Sequence, residues 1–299
     1  MNLNVQQAAD VQIYEPVPDY IPRVAAVHDI CGYGKCSLAV VMPVLAAAGI
    51  DVCPVPTAVF SNHTGYERYT FLDTSEQLTD YLAAWQANHV VIDGIYSGFL
   101  GSESQIQTIL DLSAMYPQAL MFIDPVMGDH GVRYKTYTDA MCEEMKRLAQ
   151  AADVLTPNLT EAAILTGIPY EGQSPAPETT QRLLDALLEL GSRYVVLKGI
   201  QRGETVTNLI AGRGIETVGI TGMLHPLRLH GTGDLFSSVL IAALMAGRDL
   251  EAATRFATDI LYRAMLVSEK QPRHLERGVN FEFLIGDVAT FTARGEAAT

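Results

Sequence analysis

The sequence predicts an α/β fold: a central, mostly parallel, doubly wound sheet with helices on both faces and a small antiparallel hairpin at one edge. Three observations carry this. From 23 to about 198, short β-rich apolar runs alternate with longer helical patterns. The runs are bounded by Gly, Pro, Asn and Asp and are apolar almost throughout, as suits strands buried on both faces. The helical spacers are long enough for right-handed crossovers between parallel strands.

Taken in order, residues 1–22 are polar, carry prolines at 16, 18 and 22, and read as an extended arm. Strands are expected at 23–28, 52–59, 90–93, 120–124, 154–155 and 194–198. Helical patterns between them fall at 38–48, 75–87, 102–115, 138–150 and 178–190. Beyond Lys198 the rhythm changes, because 205–211 and 215–221 flank Gly212-Arg213-Gly214 and read as an antiparallel hairpin at the sheet edge. Two helices follow. The first, 235–246, is almost wholly apolar, so it should pack against the sheet. The second, 250–268, aligns Leu250, Ala253, Phe256, Ala257, Ile260, Leu261, Ala264 and Val267 at spacings of three and four. No repeat or linker interrupts 23–285, which reads as one domain, with a tail at 286–299.

Composition narrows the function. Hydrophobic residues make up 48% of the 299 and charged residues 18%, which excludes a disordered or fibrous chain. Twenty basic residues against 34 acidic ones leave a net charge of −14. So acidic a surface repels phosphate backbones, which argues against nucleic acid and anionic membrane as partners. An anionic substrate would need a nest of backbone N–H groups or a few placed cations. Cys31, Cys36, Cys53 and Cys142 form no CxxC or zinc-ribbon spacing. No apolar signal region precedes Arg23, and the longest apolar stretch, 38–50, contains Pro43 and is too short to span a bilayer. The chain reads as reduced, soluble and cytoplasmic, so its two Asn-x-Thr sequons carry no glycosylation.

In α/β sheets ligands bind beyond the carboxyl ends of the strands, so the strand-to-loop junctions are the candidate sites. His230-Gly231-Thr232-Gly233-Asp234 precedes the apolar helix. Glycines at a helix start let successive N–H groups of Gly231, Thr232 and Gly233 point at one anion. Asp234 could accept a proton from a hydroxyl attacking a bound phosphate, or simply cap the helix. Asn158 and Glu161 have capping-box spacing at a helix start. Together with Asp124, which ends a strand, they could also hold Mg²⁺ through water. Lys198, at another strand end, is either a point charge for phosphate or an ordinary surface lysine.

The first junction, 28–37, mimics two motifs without satisfying either. A Walker A motif would need Gly at Asp29 and Ser or Thr at Cys36, and a dinucleotide fingerprint from Gly32 meets Ser37 where its third glycine belongs. His28, Cys31 and Cys36 lack a fourth ligand for zinc. A substrate-side loop is the better reading. Ser61-Asn62-His63-Thr64-Gly65-Tyr66 then offers groups suited to a small polar heteroaromatic, or else an ordinary capped turn.

Together the junctions resemble the pyridoxal/pyridoxamine kinases, in the vitamin-kinase branch of the ribokinase-like superfamily. The resemblance runs from 23 to about 268. Its carriers are the 61–66 segment, Ser97-Gly98-Phe99-Leu100-Gly101-Ser102, Asp124-Pro125-Val126-Met127-Gly128, Thr156-Pro157-Asn158-Leu159-Thr160-Glu161 and Gly231-Thr232-Gly233-Asp234. It implies a ribokinase-like fold, a homodimer, and transfer of the ATP γ-phosphoryl group to the 5′-hydroxymethyl of a vitamin B6 vitamer. It also implies Asp234 as base, the amides of Gly231, Thr232 and Gly233 as anion hole, and Asp124, Glu161 and Lys198 around ATP and Mg²⁺. Asp29, Thr64 and Gly65 match substrate-contacting positions, and Phe99 lies where an aromatic lines the ring pocket. The chain departs from the pattern at Asp29, where some relatives have Ser, and in the loop 32–37. Two other readings stand beside it: a hydroxymethylpyrimidine kinase, against which the lack of any Gly-Gly argues, and a non-catalytic nucleotide- or vitamer-binding protein.

Overall fold

The computed structural model describes residues 7, 8 and 11–293, with only the backbone described at 273–275. The sheet has nine strands in the order β11-β10-β9-β8-β5-β4-β1-β2-β3. Its parallel centre comprises β1 (Arg23–Cys31), β2 (Asp51–Phe60), β4 (Gly94–Ser97), β5 (Leu120–Ile123), β8 (Val154–Leu155) and β9 (Tyr194–Arg202). Antiparallel strands finish both edges: β3 (Phe71–Asp73) beyond β2, and the hairpin β10 (Thr205–Gly212) and β11 (Val218–Met223) beyond β9. A separate two-stranded ribbon joins β6 (Gly128–Asp129) to β7 (Val132–Arg133).

Strand β1 shows why its run reads as continuously apolar. Val24 and Ala26 belong to one core, Ala25 and Val27 to the other, and all four are fully buried. Successive side chains enter opposite faces, and both faces are covered. The first core lies under α1 (Leu38–Ala47), α7 (Thr232–Met245), α8 (Leu250–Glu269) and α9 (Ile285–Thr292). The second lies under α2 (Ser75–Ala87), α3 (Glu103–Met115), α4 (Asp139–Gln150), α5 (Leu159–Thr166) and α6 (Pro177–Leu190). Every residue of α7 from Leu235 to Met245 is buried, as an all-round apolar helix between the sheet and α8 must be.

Three local features differ from expectation. The strand expected at 90–93 lies instead at β4, Gly94–Ser97. Asp93 is committed to the N-terminal edge of the sheet, where its carboxylate accepts from the Arg23 N–H at 2.7 Å and the Tyr20 hydroxyl at 2.9 Å. Val91 is left 52% exposed. The expected tail is helical over part of its length, since α9 runs to Thr292 and buries Val288; residues 294–299 lie outside the described residues. In the expected arm, Val11 and Ile13 are buried and the Val11 carbonyl accepts from Leu250 N–H at 2.9 Å, while 1–6, 9 and 10 lie outside the described residues. Among the described residues no helix is long and apolar enough to cross a membrane.

Strand order reverses at β1, with β2 on one side and β4 on the other. The carboxyl ends of β1, β4, β5 and β8 therefore open onto one crevice.

Candidate active site

Helix α7 begins at the floor of this crevice. Its N-cap is Gly231, in the left-handed region (φ 80°), where a Cβ would stand 1.8 Å from the Lys35 carbonyl oxygen. Only glycine fits. Asp234 is therefore the third residue of the helix, and the capping alternative fails for it. The first-turn amides of Thr232, Gly233 and Asp234 have no intrahelical acceptor and lie at the positive end of the helix dipole. A Cβ on Gly233 would meet nothing within 4 Å, and Gly233 itself is exposed. The Asp234 carboxylate accepts from the backbone N–H of Ser37, yet burial, with Asp124 and Asp29 nearby, pushes its pKa up to about 7.

Asp124 follows β5 and is 3% exposed. Lys198 Nζ lies 3.0 Å from both its carboxylate oxygens, and Ser237 Oγ lies 2.7 Å from Oδ2. Lys198 is thus not a surface lysine but the counter-ion of a buried carboxylate.

Asn158 and Glu161 form the capping box that their spacing implies. Asn158 Oδ1 accepts from the N–H groups of Thr160 and Glu161 at 2.8 and 2.9 Å, and Glu161 Oε2 accepts from Asn158 N–H at 2.7 Å. Asn158 Nδ2 gives its proton to the Gly128 carbonyl at 2.9 Å. Capping and this tie occupy both ends of the Asn158 amide, which leaves the metal role expected for it without a free oxygen. Glu161 does more than cap. Burial, and next the charge of Asp124, hold its carboxyl well above the ordinary range. Asp29, Asp124, Glu161 and Asp234 therefore share one neighbourhood with a single ammonium, Lys198. That excess of negative charge fits Mg²⁺, which keeps most of its water and needs only one or two carboxylates beside a substrate's phosphates. Among the described residues no group of three or more His, Cys, Asp or Glu side chains is arranged to enclose a metal.

The other wall comes from β1 and from the loop after β2. Asp29 is buried, with its carboxyl raised by burial, and accepts from Ser37 Oγ at 2.5 Å. Ser37 has φ 53°, an uncommon conformation for a residue with a side chain. It joins both aspartates, its hydroxyl to Asp29 and its N–H to Asp234. Thr64 and Gly65 are exposed at the mouth, and a Cβ on Gly65 would lie 2.6 Å from His230 Nε2. The His63 ring lies tilted against that of His230, with centroids 4.2 Å apart. Its Nδ1 accepts from Gly65 N–H, so its Nε2 carries the proton and donates to the Glu276 carbonyl at 2.7 Å. Phe99 is part-exposed and edge-on to Phe60 and Tyr137.

The structure thus joins Asp29, Asp124, Glu161, Lys198 and Asp234 electrostatically and seats Gly65 against the glycine turn. The sequence reading missed Ser37 and Ser237. Ser237 stands one helical turn after Asp234, and that spacing was the available signal. His28, entertained as a metal ligand, is fully buried edge-on to Tyr96, and burial lowers its pKa to about 3.

Comparison with known proteins identifies the family and its fold. The family model described as phosphomethylpyrimidine kinase matches residues 42–279. A pyridoxal kinase, PdxY, of Pasteurella multocida is 32% identical over 75% of this chain and 81% of its own length. A Bacteroides thetaiotaomicron protein assigned as a phosphomethylpyrimidine kinase, crystallised with pyridoxal, superposes with a TM-score of 0.85 at 34% identity, covering 90% of this chain and 96% of its own. The pyridoxal kinase of Lactobacillus plantarum gives 0.85 at 28% identity, covering 91% and 98%.

Proposed function

The chain belongs to the phosphomethylpyrimidine kinase family, and on that premise we propose that it is a pyridoxal kinase, transferring the γ-phosphoryl group of ATP to the 5′-hydroxymethyl of a vitamin B6 vitamer. The observation that carries this is the place of Asp234, third residue of α7 beside the first-turn amides and the Asp124–Lys198 pair, its carboxylate accepting from Ser37 N–H while burial pushes its pKa up to about 7. A base with that pKa is half-ionised at neutral pH, near the optimum for general-base catalysis.

In this reading Asp29, Thr64, Gly65 and Phe99 border the vitamer ring and bring its hydroxyl to Asp234. The hydroxyl proton passes to an Asp234 carboxylate oxygen as the new O–P bond forms and the bond to the β-phosphate oxygen breaks, releasing ADP. The amides of Gly231, Thr232 and Gly233, with that of Asp234 next in the turn, stabilise the charge on the transferring group, and Lys198 offsets charge on the phosphates. Asp124 and Glu161 would hold Mg²⁺ through water, and the ion would supply charge neutralisation at the phosphates. Exposed Val59, Tyr69, Phe71 and Leu72 at the β2–β3 edge support the expected homodimer.

A second acceptor, hydroxymethylpyrimidine, is favoured by the description of the family model. The test is ADP release from Mg·ATP with pyridoxal, pyridoxamine, pyridoxine and hydroxymethylpyrimidine in turn. The pyridoxal reading expects the highest kcat/KM on a B6 vitamer. A preference for the pyrimidine replaces it, and no release with any of the four supports a binding protein.

A further inference from the structure

Ser237 lies on the buried side of the Asp124–Lys198 pair, with no exposed surface. Its Oγ is 2.7 Å from Asp124 Oδ2, 3.2 Å from Thr156 Oγ1 and 3.3 Å from Lys198 Nζ. Chemistry orients the protons. An ionised carboxylate only accepts and an ammonium only donates, so the single Ser237 proton goes to Asp124 while Lys198 donates to Ser237. With its proton used, Ser237 can only accept from Thr156. With these three partners the hydroxyl uses its one donor and both acceptor positions, and the buried Tyr96 hydroxyl lies beside it as it does beside Ser238. Lys198 in turn meets three acceptors, Asp124 Oδ1, Asp124 Oδ2 and Ser237 Oγ, matching its three protons. A hydrogen-bonded network of this kind, joining Asp124, Lys198, Ser237 and Thr156, holds each member in one orientation.

We propose that Ser237 is a positioning residue of the phosphoryl-transfer site, acting through Asp124 and Lys198 to set how carboxylate and ammonium are presented to a nucleotide's phosphates. This rests on the kinase reading. It assigns a task to a residue that would otherwise count as core packing in an apolar helix. The neighbouring Ser238 supplies the contrast: it is equally buried in α7 but bonded to neither Asp124 nor Lys198.

The test is calorimetric binding of Mg·ADP, and separately of pyridoxal, to the full-length wild type, Ser237→Ala, Ser237→Cys and Ser238→Ala, with melting temperature and the kcat and KM of each. Loss of a hydrogen bond to a charged group predicts about ten- to hundredfold weaker Mg·ADP binding in Ser237→Ala. Ser237→Cys keeps the branching but puts a larger, weakly donating sulfur in place of the oxygen, so it should weaken binding similarly; it decides the matter if Ser237→Ala does not fold. Pyridoxal binding should stay within twofold in both, KM for Mg·ATP should rise more than kcat falls, and Ser238→Ala should leave nucleotide binding within twofold. Wild-type Mg·ADP affinity in either Ser237 variant overturns the proposal, as does an equal loss in Ser238→Ala. A wild type that binds Mg·ADP but phosphorylates neither a B6 vitamer nor hydroxymethylpyrimidine refutes the kinase reading instead, and the binding comparison still decides the role of Ser237.

Discussion

Replacing Asp234 by Asn isolates the ionisation on which the proposed phosphoryl transfer depends. Burial raises the carboxyl from 3.8 to about 7. At about 1.36 kcal/mol per unit, holding the charge in the folded state costs roughly 4 kcal/mol. The side chain is part-exposed, and solvent reduces that to about 2–4 kcal/mol. The folded pKa lies above the unfolded one, so between pH 4 and 7 the folded protein keeps a proton that the unfolded chain has lost. Stability therefore falls as pH rises through that window. The advantage of Asp234→Asn over wild type should grow from about pH 4, reach its full size near pH 7 and stay level above. Asn Oδ1 can still accept from Ser37 N–H, so the fold keeps its contact. Urea unfolding of both proteins from pH 4.5 to 9, with the difference plotted against pH, measures this. In the same variant kcat should drop about 10²–10⁴-fold, or roughly 3–5 kcal/mol of barrier. A flat difference curve, or an Asn variant less stable at pH 8, would refute the desolvated-base argument. Near wild-type kcat would remove the base role.

Other expectations concern the glycine turn, the acidic pair and the thiols. Gly231→Ala must displace the Lys35 carbonyl and adopt φ 80°, so it should unfold at lower denaturant by at least about 2 kcal/mol; Gly233→Ala meets nothing within 4 Å and should keep its melting temperature while losing nucleotide affinity and kcat. If the Gly233 variant turns over normally, the amides do not receive the phosphoryl group. Glu161→Gln keeps an oxygen for the capping box and removes a costly buried charge, so a Mg²⁺ titration should shift to higher concentration with no loss of stability; a shifted melting curve with unchanged Mg²⁺ dependence would leave Glu161 as a cap alone. Cys36 is half-buried, whereas Cys31 is 4% exposed and shares a hydrogen bond with it. The same hydrogen bond lowers the Cys31 thiol and raises that of Cys36, so reactivity and exposure rank the two oppositely; mild alkylation should reach one of them before Cys53 and Cys142 and slow when pyridoxal is bound, and labelling that ignores pyridoxal would separate the loop 32–37 from the proposed vitamer site.

Most of the fold was legible because the strands are buried on both faces and the helices carry clear periodicity. α2 begins and ends where its pattern does, and β8 matches the two residues expected of it. What was not legible depends on tertiary pairing. Val90-Val91-Ile92 has the composition of a strand, but Asp93 is fastened to Arg23 and Tyr20, so pairing starts at Gly94. The ribbon β6–β7 has two residues per strand and leaves no periodic trace. At the site, Asn158 and Glu161 announced their capping box, and the glycines at 231 and 233 announced a helix start, whereas the need for glycine at 231 shows only in its backbone angle and the Lys35 carbonyl beside it. The Asp234 cap alternative survived in the sequence because an aspartate near a helix start looks the same as a cap or as the third residue. Only the backbone angle at Gly231 separates the two. Ser37 and Ser237 stayed hidden because their partners, Asp29 with Asp234 and Asp124 with Lys198, lie on other elements brought together by the sheet.

The most direct test follows the phosphoryl group itself. Wild-type protein, Mg²⁺, pyridoxal and γ-labelled ATP are mixed, and the products are separated and identified by mass and ³¹P resonance. The account predicts label on the 5′-oxygen of pyridoxal in one-to-one proportion with ADP. ADP with free labelled phosphate and no phosphorylated pyridoxal would contradict it.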